Sequence, residues 1–203
     1  MASIADHPEF LLSVEGTVGQ ADRFMSLLLA TLLTGLVLLA VGGWFLWNGP
    51  EVRPATFAWL RSTPAAVVLF GGAAVWFLWH IAHLGKADFG DYKQLLLLLF
   101  GVTALGSFFF VKDFLPVRGL AVLILLCARP LLDAAYMQFD HPQRLLLVVA
   151  VYASIVIALI IGATPYRLRN FFNWLFRANT RVRGLGGILA GYGAVLFVVA
   201  FTY

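Results

Sequence analysis

Six apolar segments, each long enough to cross a bilayer as a helix, recur along this sequence. The first is the clearest, because no charged residue lies between Phe24 and Trp47. At a rise of 1.5 Å per residue, a helix of that length exceeds the hydrocarbon core of a membrane, which is ~30 Å thick. The sequence therefore predicts an all-α fold, a polytopic membrane helix bundle of about six transmembrane helices arranged as three hairpins. The spans are expected at about residues 24–47, 63–81, 94–111, 117–136, 145–163 and 182–203.

The composition indicates the same class of protein. Hydrophobic residues make up 62% of the 203 residues and charged residues 12%, with a mean hydropathy of +0.91. Such a chain has too little polar surface to coat a water-soluble globule. Residues 1–23 are polar and lack the basic start of a cleavable signal peptide, so we expect an N-terminal segment followed by a single transmembrane domain, 24–203. Cys127 is the only cysteine, and no intrachain disulfide is expected.

A strongly amphipathic stretch precedes the last span. Apolar residues recur every three or four positions from Leu168 to Phe176, and arginine and asparagine fill the opposite side. Thr164 can cap a helix that begins at Pro165, so we predict an amphipathic helix near 165–178. A basic face opposite an aromatic face suits a helix lying flat in the headgroup region of a lipid bilayer; the alternative is a surface helix of a soluble domain. The residues expected at the lipid interface are Arg167, Arg169, Trp174 and Arg177.

The distribution of positive charge predicts the orientation. Connections 48–62, 112–118 and 164–183 contain nine lysines and arginines, whereas the opposite side contains four. By the positive-inside rule these connections are cytoplasmic and both termini lie outside, in a multi-pass protein of the cell (inner) membrane. The net charge of +4 is a topology signal in this interpretation, and no nucleic-acid partner is expected because no RNA or DNA motif accompanies it.

An internal repeat emerges when the chain is compared with itself at an offset of 115 residues. The matched pairs are Pro50 with Pro165, Phe57 with Phe172, Trp59 with Trp174, Leu60 with Leu175, Val67 with Val182, Gly71 with Gly186, and Gly72 with Gly187. The middle hairpin matches more loosely, with VRGLAVL at 117–123 and VRGLGGI at 182–188. We infer three parallel hairpin repeats; the alternative is chance similarity in a chain rich in Leu, Val and Gly.

Polar side chains at membrane depth are costly and are retained mainly for partners, pathways or sites. Arg129 and Asp133 stand four residues apart on the fourth span, and Pro130 between them would kink the helix. One interpretation is an intramembrane ion pair that neutralises itself. The other is that the pair faces a polar cavity and handles an ion, a proton or an anionic headgroup.

Two histidines, His80 and His83, lie near the outer end of the second span and are followed by Asp88 and Asp91. Imidazoles three residues apart share a helix face and could bind one metal ion, with a carboxylate completing the site. They cannot clamp one haem between them, and the alternative is a pair of hydrogen-bonded interface anchors. The sequence requires no cofactor. A metal, haem, quinone or pigment remains open, the last two through a site lined by Phe108–Phe110.

Small residues form candidate packing faces on two spans. The sixth span contains G-x-x-x-G at Gly187 and Gly191, and the second carries Gly71 and Gly72 beside two alanines. Small residues allow two helix backbones to approach closely in lipid. We therefore expect these faces to contact another helix, within the chain, in another membrane-protein subunit or in a second copy.

The motif inventory argues against an enzyme, because the sequence contains no nucleotide-binding loop, no nucleophile–base arrangement and no H-E-x-x-H motif. We favour an integral membrane accessory or scaffold subunit that packs against other membrane proteins through its small-residue faces and interfacial arms. The alternative is a small transporter, or an ion or proton pathway, that uses the polar residues of the second and fourth spans. Transporters usually have more polarity at membrane depth, or broken helices in matching repeats.

Overall fold

A computed structural model of the chain describes residues 8–85, 90–110 and 113–203, with side chains from Leu27 onward. These residues form eight helices and no strand. The helices are α1 (Pro8–Trp47), α2 (Val52–Trp59), α3 (Thr63–Ala82), α4 (Lys93–Phe110), α5 (Leu115–Ala135), α6 (Arg144–Ala163), α7 (Pro165–Leu175) and α8 (Asn179–Ala200). A short 3₁₀ turn, Gly90–Tyr92, leads into α4.

Six of these helices are long and apolar enough to cross a membrane, which confirms the predicted number of spans. They are α3, α4, α5, α6, α8 and the part of α1 from Leu27 to Trp47. Their ends differ from the predicted ends by only a few residues. The exception is α1, which begins at Pro8, so most of the polar segment 1–23 continues the helix of the first span; residues 1–7 lie outside the described residues.

The first and last of these six helices, α1 and α8, form the most extensive contact in the bundle. They run antiparallel, with Gly35 beside Gly193 and Gly42 beside Gly186. There is no room for a side chain here, since a β-carbon on Gly186 would lie 2.7 Å from the amide nitrogen of Leu46 and 2.8 Å from the carbonyl oxygen of Gly42. The two backbones therefore touch directly, as small residues allow in lipid.

The remaining spans do not pack as three consecutive hairpins. α5 packs against α6 and α3, and α3 also packs against α4. α3 thus packs against both α4 and α5, the two helices that a short connection joins in the sequence and that are expected to form a hairpin with each other. The predicted arrangement of three hairpins is therefore not confirmed. A cavity of about 270 Å³ marks this junction, and it is lined by residues of α3 and α4 and by Val122 of α5.

A π-helical segment, Val67–Gly71, widens α3 where α5 crosses it. The contact on α5 is Gly119, where a β-carbon would lie 2.5 Å from the α-carbon of Phe70 and 2.7 Å from the carbonyl carbon of Leu69. π-Helical turns are rare and frequently occur at functional sites. Here the widened turn rests on a glycine of the neighbouring helix, so α3 and α5 are joined backbone to backbone, as α1 and α8 are.

Candidate functional site

The two short helices, α2 and α7, meet over one end of the bundle; we call them the arms and this end the basic end. Phe57 of α2 and Phe172 of α7 are in ring contact, with 6.3 Å between centroids. Phe45, near the end of α1, also packs on Phe172, at 6.4 Å. Leu60 and Leu175 are fully buried in the same cluster. An aromatic core therefore ties both arms to α1.

α7 has the two faces that its sequence predicts. Phe172 and Leu175 are buried in the cluster. The exposed polar side chains are Arg167, Arg169, Asn170 and Asn173 on α7, and Arg177 just after its end. Trp174 is also exposed, and the guanidinium of Arg181 lies 4.6 Å from its ring centroid. Thr164 is the N-cap, but its side chain makes no capping hydrogen bond, because the hydroxyl donates to a carbonyl of α6. The position of α7 at a lipid interface stays a prediction.

Phe114, the residue before α5, has a backbone conformation that a bulky side chain rarely adopts, with φ 57° in the left-handed region. Its carbonyl accepts hydrogen bonds from the amides of Val117 and Arg118. The guanidinium of Arg61, just after α2, lies 5.3 Å from the centroid of the Phe114 ring, and the guanidinium of Arg169 on α7 lies 5.9 Å from that centroid. Both distances are within the range of cation–π contacts. Backbone strain of this kind clusters at functional sites.

Neither Arg61 nor Arg169 forms an ion pair with a carboxylate whose side chain the structure describes. Among the residues that the structure describes, the one ion pair joins Arg129 and Asp133 on α5. Asp113 precedes Phe114 in the chain, yet it is exposed and pairs with neither Arg61 nor Arg169. The basic end therefore presents two guanidinium groups, drawn toward one aromatic ring, that can still accept an anionic partner.

A cavity of about 580 Å³ lies beneath the arms. Its lining is apolar and includes Trp44, Phe45, Trp59, Ile157 and Phe172. Thr56 contributes a hydroxyl, but this group donates to the carbonyl oxygen of Val52 within α2, at 2.6 Å. Trp44 and Ile157 are exposed, so the cavity opens sideways from the bundle. The volume is typical of ligand pockets, which span ~300–1,000 Å³.

The Arg129–Asp133 pair lies on the outside of α5. Nε of Arg129 is 3.8 Å from Oδ2 of Asp133, and the two side chains are 77% and 72% exposed. α5 continues through Pro130 to Ala135, so Asp133 stands in its last turn. A side chain placed there can extend toward the membrane boundary. This is the geometry of a surface pair, and the pair lines neither of the two cavities.

The two histidines are hydrogen-bonded within their own helix. Nδ1 of His80 lies 3.0 Å from the carbonyl oxygen of Trp76, and Nδ1 of His83 lies 2.8 Å from that of Trp79. In the described ranges, no three His, Cys, Asp or Glu side chains converge as metal ligands. Asp88, a candidate carboxylate ligand, lies outside the described residues. A metal or haem role for the histidines stays a prediction.

The predicted packing face of α8 is exposed. A β-carbon added at Gly187 would meet only the tip of the Leu46 side chain, at 4.0 Å, and one added at Gly191 would meet no other described element within 4 Å. α8 turns Gly186 and Gly193 toward α1 instead, so Gly187 and Gly191 make no close backbone contact within the described chain. The glycines that do make close backbone contact are Gly35 and Gly42 on α1 and Gly186 and Gly193 on α8. They are spaced seven residues apart in both helices, and this heptad spacing is the sequence signal that identifies them. Contact of the exposed face with a partner stays a prediction.

The corresponding face of α3 is also open. A β-carbon added at Gly71 would meet only the ring of Phe108, at 3.9 Å, and one added at Gly72 would meet no other described element within 4 Å. Phe109 and Phe110 are exposed, and a quinone or pigment site lined by Phe108–Phe110 stays a prediction. The residue that brings another backbone against α3 is Gly119, which the sequence reasoning missed; no periodic pattern distinguishes it.

The residues matched by the proposed repeat have mixed environments. Phe57 and Phe172 lie in one cluster and contact each other. Val67 is exposed on α3, whereas its counterpart Val182 is fully buried on α8. The matched residues of the two arms therefore have more similar surroundings than the matched residues of the two spans that follow. The internal repeat stays a prediction.

In comparisons with known proteins, no family model, no curated protein and no solved structure matches this chain. The contacts of its own residues are therefore the basis for assigning its function.

Proposed function

We propose that this chain is an integral membrane accessory or scaffold subunit that packs against other membrane proteins or a second copy of itself. The observation that carries the proposal is the division of α8 into two glycine faces. One face touches α1 backbone to backbone through Gly186 and Gly193, and the other, with Gly187 and Gly191, is exposed. In lipid, an exposed small-residue face lets a second helix approach as closely as α1 does.

The surroundings of α4 support the same proposal. No residue of α4 is buried, and α4 packs mainly against α3. Large apolar side chains are exposed along most of its length, namely Leu95, Leu98, Leu99, Val102, Leu105 and Phe109. A helix with so little contact inside its own chain leaves most of its circumference for lipid or for another protein.

The proposed location is the cell (inner) membrane, with the basic end on the cytoplasmic side and both termini outside. The excess of arginine and lysine in connections 48–62, 112–118 and 164–183 supports this orientation. The exposed arginines of the arms would then face the leaflet that carries anionic lipid.

Transport is the weaker alternative. It needs polar side chains along a path through the membrane, yet Arg129 and Asp133 are exposed and the described cavities have apolar linings. His80 and His83 are hydrogen-bonded to carbonyls of their own helix. No contact in the part of the chain that the structure describes favours an ion or proton pathway over a packing role.

Purification in mild detergent from the native membrane tests the proposal. Gly187→Leu and Gly191→Leu should each remove a co-purifying subunit, or convert a dimer to a monomer, while the monomer still elutes as a folded species. Gly43→Leu is the matched control, because Gly43 is an exposed glycine of α1 at which an added β-carbon would meet no other described element within 4 Å. Normal assembly of both α8 variants, or a wild-type chain that purifies alone as a monomer, would contradict the proposal.

A further inference from the structure

We propose that the cavity beneath the arms holds an acyl chain of an anionic phospholipid, with the lipid phosphate bound by Arg61 and Arg169. This site lies at the basic end of the bundle and does not depend on the partner contacts proposed for α8. Three features occur there: an apolar cavity, two arginines that pair with no carboxylate in the described part of the chain, and the strained backbone of Phe114.

The cavity selects an apolar occupant that enters from the side. Its one hydroxyl, on Thr56, is already used within α2, so apart from the indole N–H groups of Trp44 and Trp59 the lining side chains are apolar. Trp44 and Ile157 form an exposed edge, which leads outward from the bundle at the level where α1 and α6 approach their ends. A chain already dissolved in the bilayer can enter through such an opening without crossing water.

The two segments of the arms that line this cavity also carry the two arginines. Trp59 lines the cavity and is followed two residues later by Arg61; Leu168 lines it and is followed directly by Arg169. Both guanidinium groups lie over the ring of Phe114, within 6 Å of its centroid. Two like charges held toward one ring are stabilised by an anion that bridges them, and guanidinium suits phosphate oxygens.

A phospholipid satisfies both parts of the site at once. A helix from another protein could fill the cavity with apolar side chains but would leave the arginines unpaired unless it also supplied an acid. A small soluble anion could pair with the arginines but would leave the cavity empty. An anionic lipid places its phosphate at headgroup level, where the amphipathic arms are expected to lie, and its chain in the apolar layer below.

Substitution of the arginines tests the charged half of the site. The full-length protein in mild detergent is titrated with palmitoyl-oleoyl phosphatidylglycerol or with the phosphatidylcholine of the same chains, and bound lipid is counted by native mass spectrometry. The wild type should prefer phosphatidylglycerol about tenfold, and Arg61→Gln with Arg169→Gln should abolish that preference. Arg53→Gln with Arg177→Gln removes the same charge from the same arms, away from Phe114, and should change the preference less than about twofold.

A second pair of variants tests the apolar half. Ala55 lines the cavity, so Ala55→Phe should weaken binding of both lipids about tenfold by occupying the space of the chain. Ala58→Phe is the control, since Ala58 is exposed on the same arm and does not line the cavity. Because the cavity variant could disturb folding, the unmodified cavity is also probed with phosphatidylglycerol carrying brominated chains. This lipid should quench tryptophan fluorescence saturably in the wild type, with the saturable part lost when Trp44 and Trp59 are both changed to Phe.

Several results would overturn the proposal. Equal binding of the two lipids by the wild type, or an equal loss in the Arg53 and Arg177 control, would mean that Arg61 and Arg169 do not select an anionic lipid. Glycerol phosphate that binds as tightly as the whole lipid would point to a free anion. A folded Ala55→Phe variant with unchanged lipid binding, or bromine quenching that does not depend on Trp44 and Trp59, would place the chain outside the cavity. A wild-type dimer that excludes the lipid would identify a second copy as the occupant.

Discussion

Adding one methyl group at Gly186 should separate the first and last spans, whereas the same change at Gly187 should not. The two residues are adjacent in α8 but face opposite surroundings. A β-carbon on Gly186 would lie 2.7 Å from the backbone of Leu46 on α1. A β-carbon on Gly187 would meet only the flexible tip of the Leu46 side chain, at 4.0 Å. Gly186→Ala and Gly187→Ala therefore form a matched pair that differs in one contact.

The expected magnitude follows from the distance that has to open. An ordinary contact of a β-carbon begins at 3.4 Å, so relief of the 2.7 Å contact at Gly186 requires α1 and α8 to separate locally by about 0.7 Å. A gap of roughly 0.5–1 Å already forfeits a quarter to a half of the dispersion energy of the atoms concerned, and overpacking typically costs about 1–3 kcal/mol. The intrinsic effect of replacing glycine by alanine in a helix is common to both variants. Their free energies of unfolding should therefore differ by about 1–3 kcal/mol, with Gly186→Ala the less stable.

Titration with sodium dodecyl sulfate in mixed micelles, followed by circular dichroism, measures this difference. A second matched pair repeats the comparison, because a β-carbon on Gly193 would lie 2.7 Å from the backbone of Leu39, whereas Gly191 is open. The free energies of unfolding of Gly186→Ala and Gly193→Ala are compared with those of Gly187→Ala and Gly191→Ala. If each pair agrees within about 0.5 kcal/mol, the direct backbone contact between α1 and α8 does not exist, because surface substitutions have effects of that size.

With the native cysteine removed, engineered cysteines in 164–181 should be shielded from a membrane-impermeant thiol reagent outside intact cells, while cysteines in the connection between α5 and α6 should label; the reverse pattern would invert the proposed orientation. Asp133→Leu should cost up to ~1 kcal/mol of stability because the pair is exposed, and adding Arg129→Leu should recover part of it. Purely additive effects would show that the two residues are not coupled. Gly119→Ala should destabilise the fold by about 1–3 kcal/mol, whereas Gly101→Ala, in open space on α4, should not; equal stability would refute the contact between α3 and α5.

The spans could be predicted from the sequence because hydropathy and the absence of charge are local properties. The neighbours of each span could not, because a side chain that faces lipid and one that faces another helix are equally apolar. On α8, Leu196 is fully buried while Val195 and Val198 are exposed, although all three are aliphatic. Without a hydrophobic difference between the two environments, the amphipathic signal that orients a helix in a soluble protein is lost.

The candidate lipid site shows a second limit of local reasoning. The pattern of α7 alone predicts Arg169 at the lipid interface, but its contact with the Phe114 ring, which Arg61 also contacts, depends on the meeting of segments far apart in the chain. The left-handed backbone of Phe114 has no sequence signal, since the residue types that favour positive φ are glycine, asparagine and aspartate. Only the folded arrangement brings these residues together.

The pairing of α1 with α8 has a consequence for biogenesis. Four other spans are synthesised between them, so α1 enters the membrane well before its main partner exists. At a translation rate of about 5–20 residues per second, the delay is on the order of ten seconds. During that time the glycine groove formed by Gly35 and Gly42 is vacant and available to lipid, to an insertion factor or to the α8 of another molecule. Of the six spans described, the first and the sixth to emerge from the ribosome are thus the pair with the most extensive contact.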